Sequence, residues 1–189
     1  MSYYKHETAL VDDGCQIGDG SKVWHFSHLM PGAILGANCN IGQNVFIASK
    51  VQLGNNCKVQ NNVSLYEGVI CGADVFIGPS AVFTNVINPR SAVSRKSEYK
   101  KTVIKNGATI GANATIICGV TLGDYSFVGA GTVVTKDVPD YALIVGNPGK
   151  QIGWMSKEGH RLFFNAEGRA LCQGSGVAYL LEEGVVTVE

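Results

Sequence analysis

Side chains able to do chemistry are few in this 189-residue chain. Asn62, Tyr66, Glu67, Asn85 and Asn88 form one polar group, scattered through an otherwise apolar and glycine-rich stretch. A carboxamide such as that of Asn85 offers a donor and an acceptor but is no useful base, so its chemistry is the positioning of a reactant. His25 and His28 are the candidates for a general base or a substrate hydrogen bond. The other two histidines are His6, near one terminus, and His160, in the tail. A zinc site wants three converging histidines, and these four are unsuitably spaced, so no metal is expected. Arg90, with Arg95 and Lys96, supplies cations in a single basic segment, where the guanidinium fork suits a diphosphate or a carboxylate. Lys136 and Lys150 are two further cations towards the far end of the patterned region.

These residues are carried by a pattern of period six. Val11, Ile17, Val23, Leu29, Leu35, Ile41, Ile47, Leu53, Val59, Leu65 and Ile77 recur at that interval, with Cys71 in one slot and Phe83 closing the series. Six fits neither a helix nor plain strand alternation, so it reports a repeat architecture. Two residues before each sits a small or β-branched residue such as Ser21, Ser27, Cys39 or Val45, which points the same way along a short strand. Three residues before lie Gly14, Gly20, Gly32, Asn38, Asn44, Asn56, Asn62, Gly68 and Asp74, types that tolerate positive φ and therefore mark corners. Each hexad is a short strand plus a sharp turn, and stacking such units into a solenoid is how they bury their apolar face.

The series resumes out of phase at Ile104, Ile110, Ile116, Leu122, Val128 and Val134, so extra residues must leave the coil in between. The polar, Pro-containing segment at about 85–101 is the candidate, which puts Asn85 at the mouth of an ejected loop; such loops are usually functional, with a tolerated surface insertion as the other reading. His25 and His28 lie outside the inward columns, so at least one is expected to face a cleft. The expected organisation is a solenoid over 1–150 and a cap over 151–189. The cap is expected to hold a short helix near Trp154 to His160 and one or two strands over Val177 to Val188.

Composition is that of a soluble single domain. Zero formal charge gives no case for nucleic acid or an anionic membrane. No apolar run reads as a signal peptide or spanning helix, so the cytoplasm is the expected location. The six cysteines are expected to be buried small residues rather than disulfides, because Cys15, Cys39 and Cys57 share the small inward column.

The tandem [LIV]-G-x-x-x-x pattern and the closing segment Val145-Gly-Asn-Pro-Gly-Lys150 resemble the hexapeptide-repeat acyltransferases. The resemblance implies three hexads per turn of a left-handed parallel β-helix, a hand opposite to the usual crossover rule. It also implies a homotrimer with active sites between neighbouring prisms and acetyl-CoA as co-substrate. The runs Val23-Trp-His-Phe-Ser-His28, Gln60-Asn-Asn-Val-Ser-Leu-Tyr66, Gly78-Pro-Ser-Ala-Val-Phe-Thr-Asn-Val-Ile-Asn-Pro-Arg90 and Gln151-Ile-Gly-Trp-Met155 are similar to one subgroup. That subgroup acetylates nucleotide-linked 3-amino sugars in surface-polysaccharide (O-antigen) synthesis.

What this implies is transfer of acetyl to the 3-amino group of a UDP-linked 2-acetamido-3-amino-2,3-dideoxy-glucuronate, by direct attack of the amine on the thioester. Asn85 is then the residue beside the reacting amine. Asn62, Tyr66 and Glu67, one turn below, with Asn88, Arg90, His25 and His28, become substrate contacts. Gly111 and Gly129 would expose backbone to the pantetheine arm, and Lys136 and Lys150 would meet coenzyme phosphates. Two alternatives stand beside it: the same reaction on a dTDP-linked 3-amino-3,6-dideoxyhexose, and a non-catalytic scaffold or zinc hydratase of carbonic anhydrase type.

Overall fold

Two-residue strands recur along the chain because an aliphatic side chain returns at every sixth position and a corner follows it. The computed structural model describes residues 2–189, so residue 1 of the expected solenoid lies outside it. Tyr4–Lys5, Leu10–Val11 and Gln16–Ile17 begin three parallel stacks, one on each face of a triangular prism. Along the first face Tyr4 pairs with Lys22, Lys22 with Asn40, Asn40 with Lys58 and Lys58 with Phe76. Each step is 18 residues, three hexads, and the prism is a left-handed parallel β-helix of about 8 turns.

The interior is filled by the hexad aliphatics: Val23, Leu29, Ile41, Ile47, Leu65, Ile104, Ile110, Ile116 and Leu122 are fully buried. The small inward column has a second duty. Ser21 Oγ donates to the Gly36 carbonyl at 2.9 Å and Ser27 Oγ to that of Gly42 at 2.6 Å, while Cys39 and Cys57 thiols reach the Gly54 and Gly72 carbonyls at 3.2 and 3.1 Å. Hydroxyl and thiol therefore satisfy corner carbonyls that the strands leave unpaired. All six cysteines are free, and burial pushes the Cys71 thiol up, so it stays protonated.

The corner residues take the left-handed conformation, from Asn38 (φ 58°) to Asp74 (φ 60°), but so do Phe26, Lys50 and Ser80. The stacking imposes that backbone whatever the side chain. Between Phe76 and its partner Thr109 the step is 33 residues instead of 18, and the excess is the loop between Thr84 and Thr102. The loop carries a single turn of 3₁₀ helix, Lys96–Glu98.

At the far end Ala142–Val145 continues the first face, and Lys150–Met155 turns back to pair with it antiparallel. The helix expected near Trp154 to His160 is absent. Trp154 and Met155 belong to that strand, and Ser156 to Gly159 form a turn in which the Gly159 amide donates to the Ser156 carbonyl at 3.0 Å with Gly159 at φ 79°. Strand pairing with Ala142–Val145 outweighs the local sequence preference. Arg169–Leu171, Ala178–Glu182 and Val185–Val188 make a three-stranded antiparallel sheet around a small core of Tyr141, Leu162, Cys172 and Tyr179. Among the described residues no helix is long and apolar enough to cross a membrane.

Candidate functional site

The corner between the second and third faces brings the polar candidates into one column, because residues 18 apart stack. Leu65 underlies Phe83, so Tyr66 and Glu67 lie one rung below Thr84 and Asn85. Above the loop, Thr84 Oγ1 accepts from the Cys118 amide at 2.9 Å, and Lys136 follows one rung beyond Cys118. Asn85 is half-buried at the loop neck, where its carbonyl accepts from the Lys100 amide at 2.9 Å and its side chain makes no hydrogen bond among the described residues. Lys136 is exposed beside a cavity of about 220 Å³ lined also by Val134, Val138, Ile144, Gly149 and Gln151.

His28 stands lower on the same face. Its Nε2 is 2.9 Å from Asp12 Oδ2, and both side chains are partly exposed. Its ring meets Phe46 edge-on at 5.8 Å, and Phe46 meets Tyr66 at 6.1 Å, giving a run of rings below Asn85. Asn88 and Arg90 are exposed in the loop; Asn88 borders a cleft of about 410 Å³ with Ile87 and Lys100, and Arg90 Nη1 donates to the Pro89 carbonyl at a long 3.4 Å.

The remaining candidates lie elsewhere. His25, Asn62, Gly111 and Gly129 occupy the other edge of that face, between the first and second faces. His25 is stacked on His6 with ring centroids 3.5 Å apart, and Asn62 Oδ1 accepts from Asn44 Nδ2 at 3.3 Å. Gly111 and Gly129 sit in tight stacking: a Cβ on Gly111 would lie 2.5 Å from the Ala130 nitrogen, and one on Gly129 would lie 2.9 Å from Val145 Cγ1. Lys150 is exposed at the start of the returning strand. His160 is in the cap, and among the described residues no group of three or more His, Cys, Asp or Glu converges as a metal site.

Sequence reasoning missed Asp12, Phe46 and Lys50. Lys50 Nζ pairs with Glu67 Oε1 at 2.8 Å, and the carboxylate holds the Lys50 ammonium above its ordinary range. Arg95, expected to face a ligand, is committed to Glu98 through two contacts of 2.8 and 2.9 Å. Stacking offsets were the available signal: Asp12 is 16 residues before His28 and Lys50 is 17 before Glu67, both one rung away.

Comparison with known proteins bears on the family and the fold. Residues 14–49 and 101–136 match the bacterial transferase hexapeptide family (six repeats), and residues 32–67 match the hexapeptide repeat of succinyl-transferase. The chain belongs to the hexapeptide-repeat transferases. Within them it is 41% identical, over 97% of its length and 94% of the relative's, to dTDP-3-amino-3,6-dideoxy-alpha-D-galactopyranose 3-N-acetyltransferase of Aneurinibacillus thermoaerophilus. It is also 34% identical to the bifunctional protein GlmU of Synechococcus sp. (strain RCC307), over 76% of this chain and 30% of that protein. Among solved structures, the hexapeptide-repeat containing acetyltransferase VCA0836 of Vibrio cholerae O1 biovar eltor, complexed with acetyl coenzyme A, superimposes with a TM-score of 0.59. That likeness has 28% identity and covers 66% of this chain and 72% of the other. A galactoside acetyltransferase in complex with coenzyme A gives 0.59, with 26% identity over 70% of this chain and 68% of that one.

Proposed function

We infer that the protein transfers acetyl from acetyl-CoA to the 3-amino group of a nucleoside-diphosphate-linked 3-amino sugar. The observation that carries this is the order of the second–third corner: Tyr66 and Glu67 below, Asn85 at the loop neck, and Lys136 above. A sugar nucleotide on the lower rungs and a thioester descending from the upper ones meet at Asn85. The relatives' acceptors and the coenzyme bound in the solved neighbours support the same reading.

The neutral amine attacks the thioester carbon, the tetrahedral intermediate collapses, coenzyme A departs as thiolate, and the proton lost from nitrogen passes to it through solvent. Asn85 accepts an amine N–H and so aims the lone pair at the carbonyl; holding the two reactants in line supplies most of the rate. No strong base is needed when the amine is already neutral near ambient pH.

The working unit is a homotrimer with sites between subunits. What supports it is the division of the candidates between two edges of one flat face, with His25, Asn62, Gly111 and Gly129 on the edge away from Asn85. One prism cannot fold its own face over, whereas a neighbouring copy can bring its opposite edge to the cleft under cyclic symmetry.

For the sugar, the dTDP-linked 3-amino-3,6-dideoxyhexose is the first reading. Lys50 is neutralised by Glu67 and Arg95 by Glu98, which suits a sugar without a carboxylate. The UDP-linked uronate of surface-polysaccharide synthesis is the second, favoured by the loosely held fork of Arg90. Free-thiol release from acetyl-CoA with each sugar decides: a preference of roughly a hundredfold in kcat/KM, about 2.7 kcal/mol, assigns the substrate. Silence with both overturns the function.

A further inference from the structure

The rings below Tyr66 are not used by acetyl transfer itself, yet they are aligned with it. His28 pairs in register with Phe46, Phe46 with Ser64 and Ser64 with Val82, one strand residue before the loop corner. At about 4.8 Å per rung, His28 stands about 14 Å below Asn85 along the prism. In an extended sugar nucleotide the amine and the base are at opposite ends, separated by the hexose, the diphosphate and the pentose, a span of this size. With its amine at Asn85 and its axis running down from the corner onto the second face, towards the column below Val82, the base arrives beside Phe46 and His28.

Asp12 decides what His28 offers there. An ionised carboxylate only accepts, so the imidazole Nε2 at 2.9 Å must carry the hydrogen, which leaves Nδ1 of the neutral ring as a lone pair. Among the described residues Nδ1 has no hydrogen-bond partner, and the side chain is 40% exposed, held on one edge and open on the other. An acceptor beside an aromatic face matches a donor on the edge of a stacked base.

We propose that Phe46 stacks the nucleobase of the substrate and that His28, its tautomer fixed by Asp12, accepts the imide N–H that uracil and thymine present and cytosine lacks. Cytosine puts a lone pair at that position, against the Nδ1 lone pair. The inference rests on the nucleotide-linked substrate proposed above and is indifferent to the choice between UDP and dTDP, since both bases carry the imide.

The test is calorimetric binding of UDP, dTDP and CDP, without sugar or acetyl-CoA, to the full chain at pH 8. UDP and dTDP are expected to bind at least about tenfold tighter than CDP, since a site built around one hydrogen bond rejects the analogue that cannot make it. Asp12→Asn, whose amide can donate as well as accept, releases the tautomer and should narrow the ratio to under about threefold. His28→Phe, which keeps a ring and removes the acceptor, should do the same and serves if the first variant does not fold. Equal binding of all three nucleotides, no binding of any, or a ratio unchanged in these variants overturns the proposal. Flat nucleotide binding with normal acetylation removes this inference and leaves the function standing. Selective nucleotide binding with no acetylation of either amino sugar does the reverse.

Discussion

The Lys100 amide donates to the Asn85 carbonyl at 2.9 Å, tying together the two ends of the loop where it leaves the prism. The backbone of Asn85 is thereby fixed by a bond its side chain takes no part in. The side chain of a residue held this way can orient a reactant without also having to hold the fold.

Asn85→Ala should therefore lower kcat by about tenfold or more, through lost alignment, while leaving thermal stability close to that of the parent. Thiol-release kinetics and a melting curve on the same sample check it; an unchanged kcat removes Asn85 from the mechanism.

Glu67→Gln frees the Lys50 ammonium, now 2.8 Å from the carboxylate, one rung below the loop neck. The relative kcat/KM for the uronate over the 6-deoxy sugar should rise, by roughly threefold because an exposed charge is screened by water. A ratio that does not move places Lys50 outside the reach of the sugar.

Gly111→Ala separates a steric from a coenzyme-facing role. The added methyl would meet the Ala130 nitrogen at 2.5 Å, so one coil must shift from the next. The expected outcome is a loss of about 1–3 kcal/mol of stability, read from the urea midpoint at unchanged slope. A raised KM for acetyl-CoA at full stability would instead show backbone exposed to the coenzyme.

Tyr141 predicts an alkaline limit. Burial, reinforced by Tyr179 and Tyr125, pushes its phenol up to about 12 from an ordinary value of 10.0. The folded state therefore holds the proton more tightly than the unfolded one. The stabilisation is complete below pH 10 and is lost as pH rises through 12. Tyr141→Phe should flatten the fall in stability across that window, followed by circular dichroism; an unaltered profile would assign alkaline unfolding to other groups.

The period of six was enough to determine a solenoid, because Leu65, Ile77 and their equivalents each need the same inward slot and Asn38, Asn56 and Asp74 mark corners that only a few residue types take readily, while three hexads per turn and the left hand came with the family resemblance. The out-of-phase restart at Ile104 likewise located the loop and put Asn85 at its neck. The tail was less legible: Trp154 and Met155 extend the first face as strand, since the partner Ala142–Val145 that decides the matter exists only after the last coil has closed. The division of the candidates between two edges, the Asp12–His28 pair and the neutralisation of Lys50 and Arg95 were decided by tertiary structure alone. A hexad repeat fixes which side chains point inward, because burial is a property of each strand. Which outward side chains meet depends on the coil below, and that register is set by stacking and by the length of the ejected loop.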